Sequence, residues 1–151
     1  MAEHDKLIKV LNQAVSLEYT AVIQYNQHSM LVTGPDKAIF EDFFRDSSKE
    51  ALSHAKMWGE KIVYLGGVPT VEVGTIHQST ELTEMLEMDH ELEKQVLEIY
   101  LKAHEICTHV PTQYLLEDHI MAEQNDVEEL AKFLRRVNIA GGKLKVEKKV
   151  G

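Results

Sequence analysis

The sequence predicts an all-α fold: an antiparallel four-helix bundle with one long crossover connection and no clear fifth helix. Its three prolines and eight glycines lie in short clusters between long stretches with apolar residues at helical spacing. Each stretch is roughly 25–30 residues long, or about 40 Å at 1.5 Å per residue, so the helices should pack along one another. The 151 residues suit a single domain with a substantial core.

Turn signals separate four helices, which we predict near residues 4–32, 36–65, 80–107 and 111–138. In "TGPD", residues 33–36, a glycine can end the first helix and a proline can begin the second. Short connections make the first two helices, and the last two, antiparallel neighbours. The longer connection over 71–80 would carry the chain along the bundle. We therefore expect a bundle domain at 1–138 and a lysine-rich tail at 139–151.

Composition excludes several classes of protein. The formal charge of −9 disfavours nucleic acid as a partner, because an acidic surface repels phosphates and attracts cations. No apolar run is long enough to span a membrane, and the charged start "MAEHDKLIKV" does not resemble a signal peptide. The single cysteine, Cys107, leaves no partner for an intrachain disulfide, which is typical of the reducing cytoplasm.

One acid interrupts the apolar stripe near the midpoint of every predicted helix. These acids are Glu18, Glu50, Glu93 and Glu123. The stripe predicted for the second helix is Phe40, Phe43, Ser47, Glu50, His54, Met57 and Leu65. Because midpoints meet at one level in an antiparallel bundle, we expect the four carboxylates to converge, with His54 and Asp126 beside them.

Four buried carboxylates need compensating charge, and lysine and arginine are scarce on these faces. Two divalent cations are the simplest compensation. Oxygen ligands with one imidazole suit iron or manganese, while zinc or cobalt are possible occupants. Taken singly, a helical glutamate is usually solvated and an inward histidine is usually a hydrogen-bonded core residue. Tyr25 is either ordinary core or a hydrogen-bond donor and redox-accessible phenol beside the site.

Four segments resemble the bacterioferritins, within the ferritin-like di-iron carboxylate proteins. They are "LEYTAVIQYNQH", "SHAKMWGEKIVYLGGVPT", "TELTEMLEMDHELE" and "EQNDVEEL". The family supplies one Glu from each of two helices and a Glu-x-x-His motif from each of the others. The resemblance implies that Glu18 and His54 are terminal ligands of one iron. It likewise implies that Glu93 is a terminal ligand of a second iron and that Glu123 bridges the two.

The sequence departs from the family pattern at three positions. Ala51 stands where the family has Glu, and Glu50 lies one residue earlier, about 100° around the helix. Either Glu50 bridges from the other flank or a π-bulge restores the register. Asp126 stands where the family has His, which makes the second metal position richer in oxygen. Leu52 replaces the haem-ligating methionine, so we expect no haem.

These features favour a di-iron ferroxidase that oxidises Fe²⁺ with O₂ or H₂O₂ in iron oxidation, storage or detoxification. One alternative is a non-storage dimetal oxidase or peroxide scavenger on the same bundle. Another is a structural bundle whose metal site has decayed. We expect two iron ions per chain, a cytoplasmic homo-oligomer that is at least a dimer, and no membrane or nucleic-acid partner. Whether a closed cage forms is left open.

Overall fold

The computed structural model describes residues 2–140, with side chains from residue 4 to residue 137. Four helices account for most of it: α1 (Ala2–Leu31), α2 (Lys37–Tyr64), α3 (Leu82–Ile106) and α4 (Val110–Ala140). The predicted all-α four-helix fold is therefore confirmed. None of the described helices is both long and apolar enough to cross a membrane. The predicted tail lies, from residue 141 onwards, outside the described residues.

The turn between α1 and α2 forms as its sequence predicts. Gly34 adopts a left-handed φ of 66°, a conformation that glycine reaches without steric cost. Gly34 begins a single 3₁₀ turn, Gly34–Asp36, and the proline lies within its first two positions. This tight connection brings α2 back along α1, and these two helices pack closely, as do α1 with α3 and α3 with α4.

The long crossover runs along α1 and is tied to it by polar side chains. Asn12 binds the backbone of Val68 and Thr70 at 3.1 and 2.8 Å. Further along α1, the Thr20 hydroxyl accepts a hydrogen bond from the Gly74 amide at 2.8 Å. Because Thr20 lies about two turns after Asn12 on α1, the crossover follows that helix towards its carboxyl end. It delivers α3 to the end of the bundle where α2 begins, which sets α3 antiparallel to α1.

Two apolar clusters fill the bundle, one on each side of the middle of α1. One cluster contains Val15 of α1 together with Trp58, and the other contains Ala21 together with Phe44. Glu18 lies between these two parts of α1 and is only 1% exposed. The site is thus enclosed by packed apolar layers above and below, which lower the local dielectric and strengthen its electrostatic interactions.

The buried face predicted for the second helix is wrong. Along most of the helix, the residues that are buried come one position after the predicted ones. The buried residues of α2 are Phe40, Phe44, Ser48, Ala51, Ala55, Trp58, Gly59 and Ile62. Burial of Phe44 and Trp58, both 0% exposed, decides between two candidate stripes that lie side by side on the helix. Glu50 and His54 consequently lie on a flank. All of α2 is α-helical, so the proposed π-bulge is absent from it.

Candidate metal centre

A cavity of about 220 Å³ opens beside the midpoint of the bundle. Side chains from all four helices line it, with most coming from α2 and α4. They are Glu18, Tyr25, Phe43, Asp46, Ser47, Glu50, Ala51, His54, Glu93, Glu123, Asp126, Glu129 and Leu130. All the residues predicted for the metal site therefore reach this cavity. Their ligand atoms do not all lie close enough together to hold one metal ion, and they form two groups that omit Glu50.

A first group of metal-binding side chains comprises Glu18, His54, His119 and Glu123, whose ligand atoms all lie within 4.8 Å of one another. His54 Nδ1 is 3.3 Å from Glu18 Oε2 and 3.6 Å from Glu123 Oε1. His119 Nε2 is 3.1 Å from the same Glu123 oxygen and 3.6 Å from the same Glu18 oxygen. Three helices thus bring two imidazoles and two carboxylates to one point.

A second group comprises Glu93, Glu123 and Asp126, again with ligand atoms within 4.8 Å of one another. Glu123 belongs to both groups. Glu93 and Asp126 reach it from α3 and from the next turn of α4. This second group offers oxygen atoms only, as the replacement of the family's histidine by Asp126 implies.

Histidines and a tyrosine compensate the first carboxylate pair. The Tyr100 hydroxyl donates a hydrogen bond to Glu18 Oε2 at 2.7 Å. Although burial opposes ionisation, hydrogen bonds to His119 and His54 lower the pKa of Glu18 below its usual 4.5. Burial alone would lower the pKa of His119, but its hydrogen bonds to Glu123 and Glu18 raise it to about 9. The Trp58 indole opposes that increase, because its N–H donates to Nδ1 at 3.0 Å and a second proton on Nδ1 would face it. This contact requires the neutral ring, so we take His119 as neutral.

The second group has no comparable compensation. Burial, followed by the charges of Glu123 and Glu18, raises the pKa of Glu93 well above its usual 4.5. Burial and the nearby Glu50 charge raise the pKa of Asp126 from 3.8 to about 7. Without a cation, these side chains hold protons at pH values where exposed carboxylates have lost theirs. A divalent cation would remove the repulsion that causes these increases.

Glu50 and Tyr25 lie at the edges of the site. The Glu50 side chain is 53% exposed, and its Oε1 is 3.8 Å from His54 Nε2, on the side of the imidazole opposite Glu18. Neither ligand group includes it. Tyr25 is 2% exposed and packs between cavity and core, with its ring centroid 6.4 Å from that of Phe43. Burial and the Glu93 charge raise the pKa of its phenol well above 10.

Sequence reasoning missed His119. It lies four residues before Glu123, so the two side chains share one face of α4, and that spacing was the available signal. The next residue, Ile120, is apolar and also packs against the core, so it hides the histidine in the apolar pattern of this helix. Trp58 and Tyr100, which hold His119 and Glu18, were likewise not predicted to belong to the site.

Asp89 is a further buried acid on the inner stripe of α3, and the protein itself satisfies it. Its two oxygens bind Gln24 Nε2 and His28 Nδ1, each at 2.9 Å. Gln24 in turn accepts a hydrogen bond from the His77 amide of the crossover at 3.3 Å. This acid therefore serves to connect α1, α3 and the crossover, and neither ligand group contains it.

The chain matches the ferritin-like domain family over residues 8–140. It belongs to the ferritin-like family. A bacterial ferritin from Pseudomonas aeruginosa is 28% identical to it over 129 residues, which cover 85% of this chain and 83% of that protein. These matches confirm the resemblance drawn from the helix segments.

Solved structures place this ferritin-like chain among di-iron carboxylate proteins in fold. A ferritin-like, diiron-carboxylate protein from Bacillus anthracis superimposes with a TM-score of 0.84 at 31% identity, covering 89% of this chain and 99% of that one. Bacterioferritin from Rhodobacter capsulatus, a structure with a metal-free dinuclear site and a haem iron, gives a TM-score of 0.79 at 26% identity. That match covers 89% of this chain and 86% of the other.

The donor set of this ferritin-like chain fits a pair of divalent cations. Glu123 Oε2 is buried and has no hydrogen-bond partner within the described part of the chain. An unsatisfied carboxylate oxygen costs free energy unless a cation or a water occupies the space in front of it. Oxygen ligands with imidazole nitrogen at one position suit iron or manganese.

Proposed function

We propose that this ferritin-like chain binds two divalent iron ions and that they are oxidised by O₂ or H₂O₂, in iron oxidation, storage or detoxification. The observation that carries the proposal is the sharing of Glu123 by two adjacent ligand groups. A carboxylate with two oxygens can contact two cations at once, so Glu123 would hold two irons close enough to act together in a two-electron reaction.

Each proposed position takes its ligands from different helices. Glu18 and His54 would hold one cation, Glu93 and Asp126 would hold the other, and Glu123 would contact both. The second position has only oxygen donors and therefore favours hard cations such as Fe²⁺ or Mn²⁺. Zinc is a possible occupant of the first position, where an imidazole contributes.

The reaction balances with electrons from both irons. Two Fe²⁺ ions each lose one electron, and these reduce O₂ with two protons to H₂O₂, or H₂O₂ with two protons to two waters. The chain's own residues hold the cations, exclude bulk water through the packed layers around Glu18, and offer protons near Glu93 and Asp126. Both of these carboxylates release a proton when a cation replaces it.

Acids at the cavity rim support entry of cations from solvent. The side chains of Asp46 and Glu50 are 67% and 53% exposed, and Glu129 joins them in lining the cavity. In a chain with a formal charge of −9, this rim adds to a field that raises the local concentration of Fe²⁺.

One observation favours a structural bundle with a decayed site. His54 and His119 can compensate Glu18 and Glu123 without any cation. Against it, Glu93 and Asp126 gain no such partner, and their increased pKa values reflect the cost of burying their charges without a cation. A non-storage dimetal oxidase or peroxide scavenger would use the same ligands and would differ in assembly.

Anaerobic Fe²⁺ titration followed by exposure to O₂ or H₂O₂ tests the proposal. We expect saturation at two ions per chain, and oxidation of both on adding the oxidant. If the chain binds no Fe²⁺, the proposal is wrong and the structural bundle with a decayed site is the remaining alternative. Binding of two ions without oxidation by either oxidant would contradict the ferroxidase proposal alone.

We propose that Glu50 does not bind the metal itself but helps to orient His54. Its Oε1 faces Nε2 of the imidazole, and Nδ1 is the nitrogen that would bind the cation. Such orienting partners change metal affinity by about 10–100-fold. Glu50→Gln is therefore expected to weaken Fe²⁺ binding by about tenfold, and His54→Gln by a clearly larger factor, measured by competition titration. Equal losses in the two variants would show instead that Glu50 is itself a ligand, as the sequence predicts.

Haem is not expected to bind through Leu52. This side chain is 52% exposed on the outer face of α2 and offers no ligand atom. Protein saturated with haem and then desalted should retain none, as measured by its absorbance near 400–430 nm. A Leu52→Met variant is the matched comparison, since it restores a thioether at this position. Stoichiometric haem retained by the unaltered chain would contradict the expectation.

We propose that the chain assembles as a homo-oligomer, at least a dimer. Large apolar side chains on the outer faces of α1 and α2 support this: Ile23, Met30, Ile39, Leu52 and Val63 are all exposed. Light scattering separates the storage and non-storage functions. A particle of several hundred kDa that retains hundreds of irons supports storage, whereas a discrete dimer with about two irons per chain supports a di-iron oxidase.

A further inference from the structure

Two histidines contact the same pair of carboxylates, but their remaining ring nitrogens have opposite partners. His54 turns Nδ1 towards Glu18 and Glu123 and has Glu50 Oε1, an acceptor, 3.8 Å from Nε2. His119 turns Nε2 towards the same carboxylates, and its Nδ1 accepts a hydrogen bond from the Trp58 indole at 3.0 Å.

The indole N–H can only donate, so it fixes the tautomer of His119. Nδ1 must present its lone pair to Trp58, and the one proton of the neutral imidazole then lies on Nε2. That proton points at Glu123 Oε1, 3.1 Å away, where a hydrogen bond forms. A metal ligand needs a lone pair on the nitrogen that faces the metal, and histidine ligands almost always donate their other N–H to an acceptor. Nε2 of His54 faces an acceptor, Glu50 Oε1, at 3.8 Å without forming a hydrogen bond, whereas Nδ1 of His119 faces a donor.

Core packing prevents Trp58 from turning away. It is 0% exposed, and its ring centroid lies 5.7 Å from that of Tyr100 and 5.8 Å from that of His119. Tyr100 stacks on His119 at 4.1 Å while its hydroxyl binds Glu18. The three rings form one buried block, so the donor that faces Nδ1 is held in place.

We propose that Trp58 keeps His119 as a hydrogen-bond donor to the carboxylates and so prevents it from becoming a metal ligand. The inference rests on the proposed metal site and deepens it. The four side chains of the first group would otherwise form a closed site of two imidazoles and two carboxylates, which is a set that zinc favours. With His119 excluded, Glu18, Glu123 and His54 leave a coordination position open and disfavour permanent capture of zinc.

Zinc at one equivalent per chain tests this assignment without any reaction. X-ray absorption at the zinc edge counts imidazole ligands, and we expect one in the unaltered protein. His119→Gln keeps an amide donor near the Nε2 position, so we expect it to lose far less zinc affinity than His54→Gln, whose loss should be at least about tenfold. Two imidazoles per zinc in the unaltered protein, with equal losses in these two variants, would overturn the inference and leave the metal site intact.

Trp58→Phe provides the converse experiment. It removes the donor and keeps an aromatic ring, so His119 can move its proton to Nδ1 and offer Nε2 to zinc. We expect two imidazoles per zinc and affinity that is higher by about tenfold or more. The double variant Trp58→Phe with His119→Gln should lose both the second imidazole ligand and the increase in zinc affinity. An unchanged imidazole count in folded Trp58→Phe would overturn the inference, and absence of zinc binding in every form would overturn the metal site itself.

Discussion

Glu123→Gln is expected to abolish tight binding at both metal positions. The glutamine keeps the size of the side chain but removes the charge that the two ligand groups share. Loss of an orienting partner already costs about 10–100-fold in metal affinity, so loss of this shared ligand should cost at least about 100-fold at each position. Fe²⁺ titration under anaerobic conditions measures the loss.

Glu117→Gln is the control for this substitution. Glu117 lies on the same helix, is exposed, and pairs with His104 at 2.8 Å outside the cavity. The Glu117→Gln variant should bind two Fe²⁺ ions per chain, as the unaltered protein is expected to do. If Glu123→Gln retained one tightly bound ion per chain, the two positions would not share this carboxylate and the proposed arrangement would be incorrect.

The metal-free protein is expected to lose stability as the pH rises from about 4 to above 7. The folded state raises the pKa of Asp126 from 3.8 to about 7, so between these values the native protein holds a proton that the unfolded chain has released. The stabilisation that comes from the proton on Asp126 is complete below pH 3.8 and is lost as the pH rises through about 7. Burial acts on Glu93 in the same direction. The increased pKa of His54 extends the decline above 6.5.

Glu93→Gln should flatten this pH dependence. It replaces a buried acid with a neutral side chain of similar size, so the metal-free variant should melt higher than the parent at pH 8 and differ little at pH 5. A gain of about 1 kcal/mol corresponds to roughly 2–4 °C for a chain of this length. Melting curves in chelator measure it. Identical slopes for parent and variant would show that Glu93 does not hold a proton in the folded state.

Long-range features of the fold could be predicted because they depend on periodicity and turn residues. Gly34 and the following proline ended one helix and began the next, and the acids of α1, α3 and α4 occupied clear apolar stripes. On α2 two stripes one residue apart both looked apolar, and only three-dimensional packing of Phe44 and Trp58 selects between them. That selection moves Glu50 from the interior to the rim.

The environment of the site could not be predicted from any one helix. Trp58, Tyr100 and His119 come from three different helices, and each is unremarkable in its own sequence context. Their role arises from contacts such as the 3.0 Å hydrogen bond between Trp58 and His119, which join positions 61 residues apart. The polar residues of α1 that bind the crossover, Asn12 and Thr20, likewise read as ordinary surface positions.

Anomalous diffraction from crystals soaked in Mn²⁺ tests the central claim most directly. Manganese scatters X-rays anomalously and suits the same oxygen-rich donors as Fe²⁺. We predict two peaks per chain on either side of the Glu123 carboxylate, one beside Glu18 and His54 and one beside Glu93 and Asp126. A single peak, or two peaks that do not share Glu123, would contradict the paired-metal site.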